Sequence, residues 1–591
     1  MIRFVFFCLL FLPGILSAEA LEIPSADWQA EPSPLGSEWA EPGGTMRVFA
    51  AQYPKSFNYY LDTNVFSSKL FSYQFESLIS RNSLTLEPEP GLAEKVTVCD
   101  DKKVFTFTLD ADAEWSDGQP VSADDVIWTF QAIMNPENLT GPHKVGLSRF
   151  EDPVKLDERT VQFTAKEVHW GNLWTLGGLT VLPAHWWKDR EFNQVNFEFP
   201  VTSGPYRIIR LQEPNSVLLE KRKDYWAAED PRGEGLSNFE RIEFLFYPER
   251  DLAFDNFRAG NFDVFAVYTA RRWAAETDGP VFQNNWMIKQ AIRNSNPVGF
   301  QGFAMNMRRE KFKDVRVRRA LAHLLDRKRM NATLMFNQYE LTASYFPDLY
   351  PEGNPNALIE FDVDAARSLL AEAGWSVNEK GHLAKDGQEF VINFLSRSAT
   401  ADRFLLIFRE ALAQVGIQLN IDRKDWSAWA KDMDEYNFDM TWAAWGAGVF
   451  KDPESMWHSK HRDQPSGNNI TGYANPVVDE KIDSIKEEFD VDKRHAVVRE
   501  IDAILAEEVP YILLWHIDYV RLLYWNRFGM PDHVLTKYGD ESASEVLWWA
   551  DPALDADLDA ARKSGKKLPG KAPVIEFEKM FHSEGATQPL M

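Results

Sequence analysis

Apolar residues change their period several times along this chain, and each change marks an element. From Lys103 to Leu109, Phe105, Phe107 and Leu109 alternate with Val104, Thr106 and Thr108, which predicts a half-buried strand. A turn follows at Asp117-Gly118-Gln119-Pro120, and Ser122-x-x-Asp125 then resembles a capping box, with Asp125 also favoured by the helix dipole. Val126, Phe130 and Ile133 continue one helical face until Asn135-Pro136 stops it. The stretch from about 363 to 445 is the clearest. A helix from Asp364 carries Leu369, Leu370 and Ala373 and closes at Gly374, and a strand covers Glu389 to Ser396. Phe404, Ile407, Phe408, Leu412 and Val415 mark a second helix ended by Gly416, after which Ile417, Leu419 and Ile421 alternate in another strand. Two strands joined by one helix are most simply parallel, a right-handed crossover. A helix near 425–435 and a strand from Asp439 to Trp445 complete an α/β region, whereas residues 90–250 are richer in strands and turns.

The ends of the chain read differently. Met1-Ile2-Arg3, the apolar run Phe4 to Leu12 and Ala18-x-Ala20 have the layout of a secretory signal peptide over residues 1–20. That run is too short to span a bilayer. Residues 21–44, rich in Pro, Glu, Ser and Gly, predict a flexible lead-in, and the charged stretch 553–591 predicts one short helix and then a mobile tail. After cleavage only Cys99 remains, so no intramolecular disulfide can form and the core alone must hold the exported protein together. A bacterial periplasm suits that economy of cysteine. Cys99 itself reads as a small buried hydrophobe.

Composition narrows the function. A length of 591 residues allows about four folding units, or fewer large ones. The net charge of −25 repels phosphate backbones, so nucleic acid is not an expected partner. Aromatic residues make up 13 % of the chain, which fits either an aromatic-rich core or a ligand cleft. There is no G-x-S-x-G, H-E-x-x-H or P-loop motif, and one mature cysteine cannot build a thiolate zinc site. His458 and His461 are three apart but lack a neighbouring ligand pattern. Neither a cofactor nor a metal is expected, and the weight moves from catalysis to binding.

Several segments, in order, resemble the periplasmic solute-binding proteins of peptide-type ABC importers, family 5. They include Gly43-Gly44-Thr45-Met46-Arg47-Val48 with Ser56-Phe57-Asn58, Phe75-Glu76-Ser77-Leu78, Pro90-Gly91-Leu92-Ala93-Glu94, and Trp115-Ser116-Asp117-Gly118-Gln119-Pro120-Val121-Ser122-Ala123-Asp124-Asp125-Val126. Thr202-Ser203-Gly204-Pro205-Tyr206, Asp314-Val315-Arg316-Val317-Arg318-Arg319-Ala320-Leu321 and Leu369-Leu370-Ala371-Glu372-Ala373-Gly374-Trp375 continue it. The end, Lys537-Tyr538-Gly539-Asp540 and Leu547-Trp548-Trp549-Ala550-Asp551-Pro552, is similar to the YejA-like branch. The resemblance implies a two-lobed α/β protein, monomeric and periplasmic, that closes on a ligand and delivers it to an inner-membrane permease. Residues 43–297 and 520–552 would form the first lobe, with a strand-rich subdomain at about 65–195, and residues 298–519 the second. Lobe crossings are expected at Ser203-Gly204-Pro205, before Phe303, and at Ile517-Asp518-Tyr519.

Three functions stay open: a receptor for peptides or peptide-like solutes, the same receptor for a murein fragment, metal chelate or sugar, and a carboxylate-dependent hydrolase. The resemblance implies ligand contacts at Trp426, Trp442 and Trp445, which flank the strand that runs beside the peptide in relatives. Gly446, Gly448 and Asp452 belong to the loop after that strand, where relatives carry an Asp that pairs with the ligand's ammonium; here that position falls near Gly448. Trp170 and Trp174 are further candidates, in competition with a place in the core.

Overall fold

Two mixed sheets organise the computed structural model, which describes residues 21–62 and 64–581; residues 1–20, where a signal peptide is expected, lie outside them. In chain order, β1 (Thr45–Ala50), β2 (Tyr206–Gln212), β3 (Ser216–Lys221), β4 (Arg241–Phe246), β5 (Val264–Ala266) and β6 (Met287–Arg293) belong to the larger sheet. The chain then builds the smaller one from β7 (Phe300–Met305), β8 (Val391–Ser396), β9 (Gln418–Arg423), β10 (Met440–Trp445) and β11 (Tyr511–Leu513). It returns to the first for β12 (Val520–Trp525) and β13 (Val574–Glu576). The strand orders are β13-β6-β12-β5-β1-β4-β3-β2 and β9-β8-β10-β7-β11.

Each sheet is the floor of a lobe with its own core. Met46, Val48 and Ala50 point inward from β1 at every second position. In the second lobe Phe303 and Met440 meet Phe404, Phe408 and Leu412 of the Asp402–Ala413 helix on one face, while Phe300, Tyr345, Trp457 and Tyr511 cluster on the other. The strands β8 and β9 that flank this helix are parallel, as the apolar periods predict.

The first lobe carries an additional five-stranded sheet, in which Leu21–Ile23, Ala93–Val98, Val104–Leu109, Thr160–Thr164 and Val154–Lys155 pair in that order. The motif at Trp115–Val126 is the knot that fixes it. The Asp125 carboxylate accepts from Ser122 N and Oγ (both 2.9 Å), Ala184 N (2.8 Å) and Trp115 Nε1 (3.3 Å). One buried carboxylate thereby starts the Ala123–Met134 helix and anchors an indole. The Thr202–Tyr206 turn joins this subdomain to the large sheet, and Arg222 Nη1 donates to the carbonyls of Thr202, Ser203 and Gly204 at 3.0–3.3 Å.

Four expectations change. The Ser203-Gly204-Pro205 turn lies inside the first lobe; the two sheets are joined by Asn294–Gly299, between β6 and β7, and by Leu514–Tyr519, between β11 and β12. The lead-in is tied down, because Leu21–Ile23 pairs with Val96–Val98 and Leu35 is buried. As far as residue 581 the C-terminal segment is not a mobile tail after its helix (Pro552–Ser564): β13 adds to the large sheet in parallel with β6, and Ile575 and Phe577 are buried; residues 582–591 of the expected tail lie outside the described residues. Cys99 is exposed, because it sits at the turn after Val98 where the chain reverses through Lys102 at φ 57°. Among the described residues no helix is long and apolar enough to cross a membrane.

Phe577→Ala is expected to lower stability by about 3–5 kcal/mol in a denaturant titration, the usual cost of emptying a buried phenylalanine site. A mobile tail would leave the transition unchanged.

Candidate functional site

The topology decides where the lobes face each other. Strands β1, β4 and β5 are parallel, and β6, antiparallel to β12 as β12 is to β5, ends at the same edge. In the second lobe β8, β9 and β10 are parallel, and β7 begins at the edge where β10 ends. The joining segments therefore bring the carboxyl ends of both sets of strands together, the place where open α/β sheets bind ligands.

At that edge β10 is half unpaired. It pairs with β7 along its whole length, from Met440 opposite Met305 to Trp445 opposite Phe300. With β8 it pairs only at Met440 and Thr441, where the Thr441 hydroxyl donates to Leu395 O at 3.0 Å and the two strands part. Among the described residues no strand pairs with the other edge of Trp442–Trp445. Its side chains are small at Ala443 and Ala444, and a Cβ on the following Gly446 would meet nothing within 4 Å.

The two tryptophans of β10 point to opposite faces. Trp442 Nε1 donates to Gln301 Oε1 (3.1 Å), and its ring packs on Phe303, Phe404 and Trp515. Trp445 Nε1 donates to Tyr511 Oη (3.1 Å), and the residue lines a cavity of about 420 Å³ with Tyr268, Tyr339, Arg521 and Glu541. The joining segment passes so close that a side chain at Gly299 would run into the Trp445 carbonyl, so this position tolerates only glycine. Trp426, at the carboxyl end of β9, is 61 % exposed; it stacks on Trp429 (5.3 Å, 28°) with the Arg397 guanidinium 4.8 Å from its ring.

Gly446–Pro453 follows as a loop. Lys451 is buried, pairs with Asp348 and donates to Gly448 O at 2.7 Å. Val449 and Lys451 line a second cavity of about 800 Å³ together with His495, Tyr538 and the 293–298 segment. Two rims close this space. At one, Tyr339 Oη donates to Tyr268 O (3.0 Å) and Arg521 Nη2 to Gln338 O (2.9 Å). At the other, Trp170 N donates to Lys486 O (2.9 Å), and the rings of Trp170 and Trp174 lie 6.2 and 5.8 Å from Phe450. The structure thus places Trp170 and Trp174 against the opposite lobe, apart from Trp426, Trp442 and Trp445.

The same rim gathers His169, Asp452 and Glu454 within 4.8 Å of one another. His169 is driven down to about 4 by burial, reinforced by the nearby Arg149 guanidinium. Asp452 keeps an open surface as a residue, but its carboxyl is crowded by protein and pushed above the usual carboxylate range; it accepts from Glu454 N at 3.0 Å. Burial raises Glu454 too, yet Lys460 and Lys486 outweigh it and hold it low. A cation would find poor ligands here. His169 Nδ1 already accepts from Gly171 N (3.0 Å), Glu454 is shared between two lysines, and Arg149 and Lys486 keep the surroundings positive. His458 is likewise engaged, by Lys460 N and by Asp479 and Asp483.

With this geometry the comparisons with known proteins agree. Residues 87–467 match the profile of the bacterial extracellular solute-binding proteins, family 5 Middle, and the chain belongs to that family. It is 26 % identical over 605 residues to the "Probable peptide-binding protein YejA" of Agrobacterium fabrum, covering 92 % of this chain and 97 % of that one. It is 25 % identical over 508 residues to the "Peptidoglycan-binding protein YepA" of the same organism, covering 78 % and 82 %. Among solved structures it shares the fold of the oligopeptide-binding protein AppA from Bacillus subtilis in complex with a nonapeptide (TM-score 0.69, 22 % identity, 87 % of this chain and 100 % of that one).

The cavity residues Tyr268, Tyr339, Arg521 and Glu541, and the rim residue Phe450, were not visible as site residues in the sequence. Phe450 had a signal: it is the single aromatic in a loop of small and charged residues.

His169 titrates at about 4 in the fold, below its ordinary 6.5, so its contribution to stability is present above 6.5 and is lost as pH falls through 4. Calorimetry across that window is expected to show wild type losing more melting temperature than His169→Gln. Equal losses would remove His169 as the cause.

Proposed function

We propose that this chain is the periplasmic receptor of an ABC importer, capturing peptides or peptide-like solutes between its lobes and delivering them to an inner-membrane permease. The observation that carries the peptide reading is the free edge of β10. An extended peptide can pair with Trp442–Trp445 as an added strand, so that backbone hydrogen bonds supply affinity whatever the side chains are. The small residues at 443, 444 and 446 let a second backbone approach, and Trp445 and Trp426 offer apolar faces beside it. Closure follows because a ligand that touches both lobes binds the closed form better and shifts the population towards it. The lobes are proposed to run over residues 43–297 with 520–552 and over 298–519, to which β13 adds a C-terminal strand of the first lobe. The fold and family favour a receptor over a hydrolase, and a receptor returns its ligand unchanged.

The loop after β10 supports a narrower statement about cargo. Gly448 itself carries no acid; Asp452, the nearest along the loop, turns to Glu454 N and the His169 rim, and Asp348, which the fold brings close, is already paired with Lys451. The buried cation in this loop is the protein's own Lys451, held by Gly448 O and Asp348. We read this as a site that does not clamp a free ligand ammonium, which suits amino-terminally blocked peptides or murein-derived peptides; the named activity of the YepA relative points the same way.

Unfolding the purified protein and taking the mass of whatever is released tests both statements. Peptides or peptide-containing fragments are expected, and a sugar or chelate would contradict the peptide reading. Calorimetry with a released peptide and its N-acetylated form is expected to give affinities within about threefold, unchanged by Asp452→Asn. A charge-assisted hydrogen bond contributes about 1.5–3 kcal/mol, so a working clamp would show a penalty of roughly ten- to hundredfold.

A further inference from the structure

Loop Gly446–Pro453 does two things at once. Val449 and Lys451 line the larger cavity, while the side chain between them, Phe450, crosses to the other lobe. There it meets Trp170 edge-on (6.2 Å, 71°) and Trp174 at 5.8 Å, and the Arg81 guanidinium stands 4.9 Å from its ring and 4.2 Å from that of Trp174. The second lobe answers with Arg494, 4.2 Å from the Trp170 ring, and with Lys486 O, which accepts from Trp170 N. Burial lowers the affinity of both Arg81 and Arg494 for their protons, the mark of guanidinium groups taken partly out of water, where a cation over an aromatic face gains most. Every one of these contacts is between protein groups.

We propose that Phe450 is a positioning residue: seated between Trp170, Trp174 and Arg81, it ties the ligand-facing loop to the opposite lobe and keeps part of the ligand-free population closed. Affinity then depends on side chains that touch no ligand. A closed state held in advance removes part of the cost that a ligand otherwise meets in selecting it. The proposal rests on the lobe-closure reading and is independent of which cargo is carried.

Small-angle scattering on protein stripped of ligand tests it. Phe450→Ala and Trp174→Ala are each expected to enlarge the radius of gyration, and the double variant to enlarge it no further than Phe450→Ala alone, because Phe450→Ala already removes the contact with Trp174. Unchanged far-ultraviolet circular dichroism controls for folding. In a pool of random-sequence oligopeptides, Phe450→Ala is expected to weaken every captured peptide by the same factor, roughly tenfold, the range of an aromatic pair with a cation over it. Phe450→Trp should restore it. Scattering identical to wild type, or enlargements that add in the double variant, would overturn the proposal. So would an altered choice of peptides, since that makes Phe450 a ligand contact. A wild type that captures no peptide at all would defeat the cargo reading and leave the scattering comparison to decide this one.

Discussion

Backbone groups in a sheet must be paired by protein, water or ligand, and strand β10 meets that demand on one side only. Its pairing with β8 ends after Thr441, where a side-chain hydroxyl takes the Leu395 carbonyl and the two strands diverge. The remaining amides and carbonyls of that edge stand at the carboxyl end of the sheet, in the gap between lobes, and are left to solvent. Water satisfies them at no net gain, so a second extended chain that replaces it in a sheltered place is favoured by its own backbone. Around this edge the other features acquire a reason. Gly299 lets the joining segment pass against the Trp445 carbonyl, Tyr511 fixes the Trp445 indole, and Ala443, Ala444 and Gly446 keep the slot clear.

In the proposed function, closure adds the second half of the site. Each sheet has its own core, and only two short segments join them, so the relative position of the lobes is set by weak contacts at the rims. At one rim these are hydrogen bonds through Tyr339 and Arg521; at the other they are rings and guanidinium groups around Phe450. Interactions of this kind are each worth about 1 kcal/mol. A handful of them tilts a two-state equilibrium without locking it, which is what a receptor that must also release its cargo requires.

The parts of this molecule written in short-range pattern were legible in the sequence. The helix–strand succession from 363 to 445 reads directly from apolar periods, Ser122 and Asp125 announce their cap, and Ile517-Asp518-Tyr519 falls on a lobe crossing. What escaped is set by distant partners. Val574-Ile575-Glu576 is too short and too closely flanked by Lys and Pro to signal a strand; it becomes one because β6, some 280 residues earlier, offers an edge (Ile292 opposite Ile575). Cys99 looked buried because a free cysteine usually packs as a small hydrophobe, but it follows the buried Val98 and the turn through Lys102 carries it outward. Trp170 and Trp174 could be seen as special in type, while their partner Phe450 lies far along the chain. The cavity residues Tyr268 and Tyr339 come from loops on different lobes, and no local pattern links them.

The central claim is that cargo binds as a strand on the free edge of β10, and hydrogen exchange at single-amide resolution addresses it most directly. Compared between ligand-stripped protein and protein holding its co-purified ligand, the amides of Trp442–Trp445 that do not face β7 are expected to pass from fast exchange to strong protection. The amides bonded to β7 should be protected in both states. If ligand binds and the free-edge amides still exchange at their unliganded rate, the cargo does not add to this strand and the account is wrong at its centre.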